Sequence, residues 1–497
     1  MATRHLGELL PPGGQVFGDV DAIVTDVSYD SRSVEPGFLF AALRGGDFDG
    51  HTFVPEAIAR GVSALLVERL SETTVAQVLV PDTRAALSFV AARFFGDPAR
   101  EVPCLGITGT DGKTTTAFLI DHLLRSAGLR TGMIGTVAVR IGDAVVAHAS
   151  RQTTPESTEI QRNLRAMVTA GCDWAVLEAT SHGLAMHRLD HLPFRIAAVT
   201  NVTHEHLDFH GSLAAYRRAK GLLVERVAET GGVVVVNADD AGALSLLEWG
   251  KGAEIVRYGW RGEKLDLWAE DLVVSGEGSR FTLARGTGER AAVRLPMLGE
   301  FNVANALCAA ATALACGLDL AAVSKGLQIA PGVPGRMAVV AAGQPFAVVV
   351  DYAHTPEALE KVLRLLRGLH PGGRLAVVFG SAGERDTGKR AVQGAVATRF
   401  ADFSVLTSED PRFEDADAII HEIAVGAKAA GGEEGVTFVR EADRATAIRR
   451  VLGWARPGDC VLLAGKGHEE SMIWGRKKRP WDETAEAWAA LAELGFA

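Results

Sequence analysis

The chain has 497 residues, 47% of them hydrophobic, which suits several cores and about two to four domains. A formal net charge of −10 disfavours a nucleic-acid-binding role, because neutralising phosphate needs clustered Lys and Arg. The five cysteines are scattered without paired short spacing, so neither a disulfide framework nor a zinc site is indicated; no apolar run reaches about 18 residues and the first residues lack a signal-peptide core, so no membrane span and a cytoplasmic location are expected.

Residues 1 to about 100 read as a first α/β unit. Tyr29, Ser31 and Arg32 precede a short apolar strand, Phe38 to Leu43. A Gly-Asp-rich loop follows, Arg44-Gly45-Gly46-Asp47-Phe48-Asp49-Gly50-His51, then a helical pattern at Val54, Ala57 and Ile58 and a strand from Ala64 to Val67. Taken alone, the polar residues of this unit read as surface turns.

A second unit begins near Val102 and runs to about residue 333. The apolar run Val102 to Ile107 leads into Gly109-Thr110-Asp111-Gly112-Lys113-Thr114-Thr115, and Ala117, Ile120, Leu123, Leu124 and Ala127 then recur at helical spacing, with Gly128 as a C-cap. Glycines on a strand-to-helix turn place backbone N–H groups and a helix N-terminus against phosphate. Lys113 would reach the outer phosphates and Thr114 would offer a hydroxyl to Mg²⁺. The usual phosphate-loop glycine is replaced by Ile107, and the glycines stand at 106, 109 and 112 instead. ATP or GTP is the expected ligand.

Further along lie the polar loop Gln152-Thr153-Thr154-Pro155 and the apolar run Trp174 to Leu177, which ends in Glu178-Ala179-Thr180-Ser181. Open α/β sheets bind ligands at strand C-terminal ends, which makes Glu178 a candidate Mg²⁺ ligand although a lone Glu is more often a solvated surface residue. The strand Ile196 to Thr200 ends in a tract with His204, Glu205, His206, Asp208 and His210, whose spacing matches no zinc motif. The helix 214–227 carries Lys220, by itself an ordinary exposed lysine. The segment 252–295 alternates and reads as a small β subregion, and Asn302 and Asn305 share one helical face.

Pro331, Pro334 and Gly335-Arg336 mark a boundary. Beyond it strands and helices alternate regularly, which predicts a parallel doubly wound sheet. Its strands end in Asp351-Tyr352-Ala353-His354, Gly383-Glu384-Arg385-Asp386, Glu409-Asp410-Pro411-Arg412 and Gly465-Lys466-Gly467-His468-Glu469. Four strand ends with clustered polar residues point to a ligand crevice.

These motifs, in this order, resemble the Mur ligases, most closely their UDP-N-acetylmuramoyl-tripeptide synthetase branch, over essentially the whole chain. The resemblance implies three α/β domains: a uridine-binding domain at 1–100, a central phosphate-loop ATPase domain with a mostly parallel sheet at 101–333, and a Rossmann-like doubly wound domain at 334–497 that binds the incoming amino acid. It implies an ATP- and Mg²⁺-dependent amide ligase that joins a diamino acid (meso-diaminopimelate, L-lysine or L-ornithine) to the D-Glu of UDP-MurNAc-L-Ala-D-Glu through an acyl phosphate, in cytoplasmic peptidoglycan synthesis, as a monomer.

By the same resemblance, Gly109 to Thr115 would cradle ATP, with Lys113 catalytic. Thr114, Glu178, His210 and Lys220 would form the metal site, Lys220 as an N6-carboxylated lysine. Asn305, Arg336 and Asp351 would contact the nucleotide. Tyr29, Ser31, Gly46, Asp47 and Phe48 would hold the uridine side; Gln152, Thr153, Thr154, Thr180 and Arg188 the muramoyl peptide; and Arg385, Glu409, Asp410, Pro411, Arg412, Gly465 and Glu469 the diamino acid. Relatives using diaminopimelate show Asp-Asn-Pro-Arg where this chain has Glu409-Asp410-Pro411-Arg412. Arg412 suits a distal carboxylate, whereas the extra acid Asp410 suits a free cationic end, so the two cues conflict. Rival readings are another ATP-dependent amide ligase such as a folylpolyglutamate synthetase, a phosphotransferase acting on a hydroxyl, and a non-catalytic nucleotide-binding protein.

Overall fold

The computed structural model describes residues 3–45, 49–146, 152–203 and 207–496. The segment Gly46, Asp47 and Phe48, expected on the uridine side, lies outside the described residues, as do His204, Glu205 and His206. The chain divides into two compact units, one of residues 1–272, 281–293 and 301–328, the other of 273–280, 294–300 and 329–497.

The first unit holds a five-stranded sheet ordered Gln15–Phe17, Ala76–Leu79, Ala64–Val67, Phe38–Ala41, Asp26–Ser28. Only its first pairing is antiparallel. The first unit also holds most of a large, mostly parallel sheet, eleven-stranded among the described residues. Its centre runs Thr131–Ile134, Trp174–Glu178, Cys104–Thr108, Phe194–Val199, Val233–Asn237, Glu254–Gly259. Runs such as Val233-Val234-Val235-Val236 are apolar throughout because helices cover both faces of a parallel sheet. The segment expected as a small β subregion is indeed β, and it extends this sheet through strands Leu267–Ser275, Gly278–Arg285 and Arg290–Leu295.

Cys104–Thr108 is flanked on both sides by strands that come later in sequence. The parallel registers set Glu178 opposite Ile107 and Val199 opposite Thr108, so three strand ends converge on the glycine-rich loop. The helix that leaves the loop spans Lys113–Ser126, starting four residues ahead of the apolar periodicity at Ala117, and Gly128 beyond its end has φ +89°.

In the second unit the sheet order is Ala338–Val339, Ala347–Asp351, Cys460–Ala464, Leu375–Phe379, Phe403–Leu406, Phe438–Arg440. All pairings but the first are parallel. The strand Cys460–Ala464, last of the parallel set in sequence, sits in the middle and is buried throughout. Separate hydrophobic cores cover the two faces. The sequence reading did not anticipate the hairpin Ser471–Trp474/Lys477–Pro480 or the helix Glu483–Glu493 that follow.

Candidate active site

The loop from Gly109 to Lys113 needs its glycines for backbone reasons. Gly112, with φ +83°, precedes the helix Lys113–Ser126 in the left-handed region, and a Cβ there would overlap Asn305 Oδ1. Asn305 is buried, and its Nδ2 donates to Asn302 Oδ1 at 3.2 Å. The expected nucleotide-contacting Asn305 thus packs directly behind the loop. The loop is tied to the next strand end as well: Asp111 N–H donates to Asn201 Oδ1 at 2.9 Å, and Thr200 Oγ1 donates to the Asp111 carbonyl at 2.6 Å. Thr115 is buried in the first turn of the helix, and the Thr110 hydroxyl lies 3.0 Å from Tyr216 Oη.

Lys113 Nζ donates to the carbonyls of Gly109 at 3.0 Å and Thr110 at 2.8 Å. Lys220 is buried, not exposed, and its Nζ donates to the same Gly109 carbonyl at 2.6 Å while lying 4.6 Å above the Tyr216 ring. The bland expectation of a solvated lysine is therefore corrected: the helix Leu213–Glu229 turns Lys220 into the protein, beneath the loop. Two ammonium groups converge on one carbonyl oxygen.

Glu178, also buried, collects the donors of three segments. Its Oε2 accepts from Thr114 Oγ1 at 2.9 Å and from Thr136 Oγ1 at 3.1 Å, and its Oε1 accepts from the Thr136 N–H at 2.8 Å. Thr136 Oγ1 lies 3.0 Å from Thr153 Oγ1, and Thr154 Oγ1 donates to the Glu178 carbonyl at 2.7 Å. Thr180 Oγ1 lies 2.9 Å from Thr154 Oγ1 and accepts from the Gly183 N–H at 3.0 Å. Thr136 was not anticipated, although Gly135-Thr136 follows the buried strand Thr131–Ile134 in the way Glu178 follows its own strand.

A buried carboxylate ringed by threonine hydroxyls is a hard oxygen donor set, which fits Mg²⁺ better than a softer metal. Among the described residues no cluster of three or more His, Cys, Asp or Glu could hold a metal ion. Bound phosphate and water oxygens would have to complete the coordination. His210 ends a short helix, Leu207–His210, with its ring 5.5 Å from His182 and 5.3 Å from Tyr216.

The expected peptide-side residue Arg188 is buried, its Nη1 on the Thr154 carbonyl at 3.0 Å and its Nη2 on Glu156 Oε1 at 2.8 Å. Arg84, not anticipated, shares that carboxylate oxygen at 3.2 Å and also donates to the Arg44 carbonyl at 3.1 Å. Gln152, by contrast, is exposed at the start of this loop. The hydroxyls expected on the uridine side are engaged within the protein. Tyr29 Oη donates to Glu159 Oε1 at 2.7 Å, and Ser31 Oγ donates to Glu56 Oε2 at 3.0 Å. Burial and the neighbouring Glu159 push the Tyr29 phenol well above its usual range. Arg162, one turn beyond Glu159, forms a fork to Asp26 at 2.9 and 3.0 Å. One side of the helix Ser157–Thr169 thereby docks the five-stranded sheet.

In the second unit, Asp351 is buried, and its two carboxylate oxygens accept from the N–H groups of Met337 and Ala353, both at 2.8 Å. Burial pushes its carboxyl up while Arg336 pulls it down. Arg336 stacks 4.8 Å from the Tyr352 ring. A Cβ on Gly335 would overlap the backbone of Gly467 and His468, so the segment at 335 lies hard against the 465–469 loop.

The loop expected to bind the amino acid shows a clear division of charge. Glu409 is buried, its Oε2 has no hydrogen-bond partner among the described residues, and burial raises its carboxyl to about 7. A Cβ on Gly465 would come within 3.0 Å of that oxygen. Asp410 Oδ1 accepts from Lys466 Nζ and from the Ile473 N–H, each at 3.0 Å. The acid that reads in sequence as a cue for a cationic substrate end is held by the protein's own lysine. Pro411 is buried beside it. Glu469 Oε2 lies 2.5 Å from the same Lys466 Nζ. Arg412 has φ +54°, and its Nε is buried without a hydrogen-bond partner among the described residues. Arg385 is exposed.

Family comparison matches residues 23–95 to the Mur ligase family, catalytic domain; residues 107–313 to the Mur ligase middle domain; and residues 335–467 to the Mur ligase, glutamate ligase domain. The UDP-N-acetylmuramyl-tripeptide synthetase of Roseiflexus sp. (strain RS-1) is 48% identical over 492 residues, covering 96% of each chain. The UDP-N-acetylmuramoyl-L-alanyl-D-glutamate–2,6-diaminopimelate ligase of Geobacillus kaustophilus is 39% identical over 489 residues, 97% of this chain and 98% of the other. A solved structure of a UDP-N-acetylmuramoyl-L-alanyl-D-glutamate–2,6-diaminopimelate ligase superposes with a TM-score of 0.69 at 31% identity, covering 100% of both chains. Mycobacterium tuberculosis folylpolyglutamate synthase, solved with ADP and AMPPCP, shares the fold at a TM-score of 0.61 and 19% identity over 83% of this chain and 95% of the other.

Proposed function

From the premise that this chain belongs to the Mur ligase family, we propose that it is the ATP-dependent ligase that joins a diamino acid to the D-Glu carboxylate of UDP-MurNAc-L-Ala-D-Glu in peptidoglycan synthesis. The single observation that carries the chemistry is the position of Glu178. Its side chain faces the phosphate-loop hydroxyl of Thr114, while Thr136 links it to Thr153 and its backbone carbonyl holds Thr154. The nucleotide side and the peptide side therefore meet at one carboxylate. That is the arrangement required to pass a phosphoryl group to a substrate carboxylate held beside the loop.

ATP bound here supplies the phosphoryl group that activates the D-Glu carboxylate, and Mg²⁺ held near Thr114 and Glu178 would neutralise phosphate charge. The chain's own residues do the rest. Backbone N–H groups at the start of the helix Lys113–Ser126 receive phosphate oxygens. Lys113 moves from the loop carbonyls to the outer phosphates. Lys220, as a carbamate on Nζ, would exchange its positive charge for a negative one and so remove the convergence of two cations on Gly109. His210 joins Glu178 and Lys220 as the remaining proposed metal-site residue. Arg188 and Arg84, on either side of Glu156, hold the anionic muramoyl peptide, and Tyr29, Ser31 and the 46–48 segment take the uridine end. Asn305, Arg336 and Asp351 serve the nucleotide.

The domain roles follow the same division: 1–100 for the uridine end, 101–333 for ATP, and 334–497 for the amino acid through Arg385, Glu409 to Arg412, Gly465 and Glu469. Among the described residues no helix is long and apolar enough to cross a membrane. A cytoplasmic monomer is part of this reading.

The test is phosphate release from ATP with purified protein. Release is expected only when UDP-MurNAc-L-Ala-D-Glu and a diamino acid are both present, with meso-diaminopimelate, L-lysine and L-ornithine compared side by side. Release on addition of a hydroxyl acceptor without an amine, or of a folate with glutamate, would overturn the proposal.

A further inference from the structure

Two fully buried cations join the C-terminal ends of the strands Phe403–Leu406 and Cys460–Ala464. Arg444 bonds the backbone at the strand ends. It donates to the carbonyls of Ser408 at 3.1 Å and Ala464 at 2.7 Å, and its charge is met by Glu483 at 2.6 Å. Lys466 bonds the loops that follow the strand ends. Its Nζ has three acceptors: Asp410 Oδ1 at 3.0 Å, Glu469 Oε2 at 2.5 Å and the Ser471 carbonyl at 2.8 Å. An ammonium has three N–H donors, so this set satisfies it completely.

The consequence is electrostatic. Of the acids in the 409–412 and 465–469 loops, Asp410 and Glu469 both lean on Lys466, whereas Glu409 Oε2 has no hydrogen-bond partner among the described residues. Asp410 Oδ1 also accepts from the Ile473 N–H. Arg412 is placed differently. Its backbone is held in the left-handed region by its N–H on the Ile473 carbonyl at 3.0 Å and its carbonyl on the Gly475 N–H at 2.6 Å. Its buried Nε has no hydrogen-bond partner among the described residues.

We propose that Lys466 is a positioning and specificity-determining residue of the amino-acid subsite, which neutralises Asp410 and thereby leaves the choice of the substrate's distal group to Arg412. The subsite then selects a diamino acid with a distal carboxylate over one ending in a bare ammonium. Removing the lysine frees an anion where the substrate's distal group lies and tilts selection the other way. This inference rests on the assignment of the 409–412 and 465–469 loops to the incoming amino acid.

The experiment measures kcat and KM for meso-diaminopimelate and for L-lysine, with ATP and UDP-MurNAc-L-Ala-D-Glu KM values as controls, in Lys466→Met, Asp410→Asn/Lys466→Met and Arg412→Ala. Lys466→Met is expected to raise KM for meso-diaminopimelate by about tenfold and to shift the kcat/KM ratio toward L-lysine by a similar factor. Both control KM values should stay within about twofold. The double variant is expected to recover most of the original ratio, because the buried acid is gone and the remaining one, Glu469, is a third exposed and screened by solvent. An unchanged ratio in Lys466→Met, or no recovery in the double variant, overturns the role of Lys466.

If Lys466→Met does not fold, Lys466→Gln carries the test, since it keeps donors for the neighbouring acids and removes only the charge. A ratio shifted toward L-lysine there supports the proposal and a wild-type ratio overturns it. Arg412→Ala separates the two levels. Amino-acid KM values unaffected by Arg412→Ala overturn the subsite assignment itself, whereas a raised meso-diaminopimelate KM there with no effect of Lys466→Met overturns only the inference about the lysine.

Discussion

Thr114 Oγ1 donates to Glu178 Oε2 across 2.9 Å, joining the first turn of the phosphate-loop helix to the end of the neighbouring strand. The bond holds the carboxylate where phosphate charge would gather. Glu178→Gln puts an amide in a pocket of three donors, two threonine hydroxyls and a backbone N–H, and removes the charge. We expect kcat to fall by about 10²–10³-fold, the size associated with losing one charge-stabilising group. Steady-state phosphate release over a Mg²⁺ titration checks this; an unchanged kcat would remove Glu178 from the mechanism.

Gly112→Ala meets two obstacles, a φ of +83° and the side chain of Asn305. A loss of roughly 1–3 kcal/mol is expected from the backbone alone. Thermal unfolding should show it, together with a raised KM for ATP. Adding Asn305→Ala should relieve the steric part and leave the backbone part, so the two losses are separable in a double-mutant cycle.

Lys220 and Lys113 both donate to the Gly109 carbonyl, at 2.6 and 3.0 Å. Arginine cannot be carbamylated, so Lys220→Arg fixes a positive charge in that position. Activity should drop by about 100-fold or more. The wild-type enzyme should lose activity in CO₂-depleted buffer and regain it with bicarbonate, and the variant should respond to neither. A wild-type enzyme indifferent to bicarbonate would count against the carbamate.

Glu409 titrates at about 7 because burial outweighs the pull of Lys389, Arg444 and Lys466, with Glu469 opposing them. An ammonium binds the ionised form, so the amino-acid KM should rise as pH falls below 7, by about tenfold per unit at the limit. Stability runs the opposite way. The folded carboxyl holds its proton more tightly than the unfolded one, so its contribution is greatest below the ordinary value of 4.5 and is lost as pH rises toward 7. Glu409→Gln should flatten both trends, measured by pH–KM profiles and pH-dependent melting.

The strand ends were legible in sequence for a physical reason. Parallel strands buried on both faces must be apolar runs, so Glu178, Asp351, Glu409 and Gly465 stand out where such runs stop. Lys466 and Arg444 were not legible, since a charged residue is ordinarily solvated and only tertiary structure shows these two to be buried. Asp410 was visible, but its partner was not; its lysine lies 56 residues further on. The hairpin Ser471–Pro480 is not legible in sequence because Lys477–Pro480 is exposed throughout and lacks the alternation that marks a half-buried strand.

The burial of Arg444 against Glu483 also bears on how the protein is made. The two residues are separated by 39 positions, so at ordinary synthesis rates the arginine precedes its counter-ion by about 2–8 s. Until Glu483 is made, the arginine that bonds the ends of the strands Phe403–Leu406 and Cys460–Ala464 lacks the acid that meets its charge. The loops at these strand ends are therefore expected to reach their final form only once the helix Glu483–Glu493 has been made.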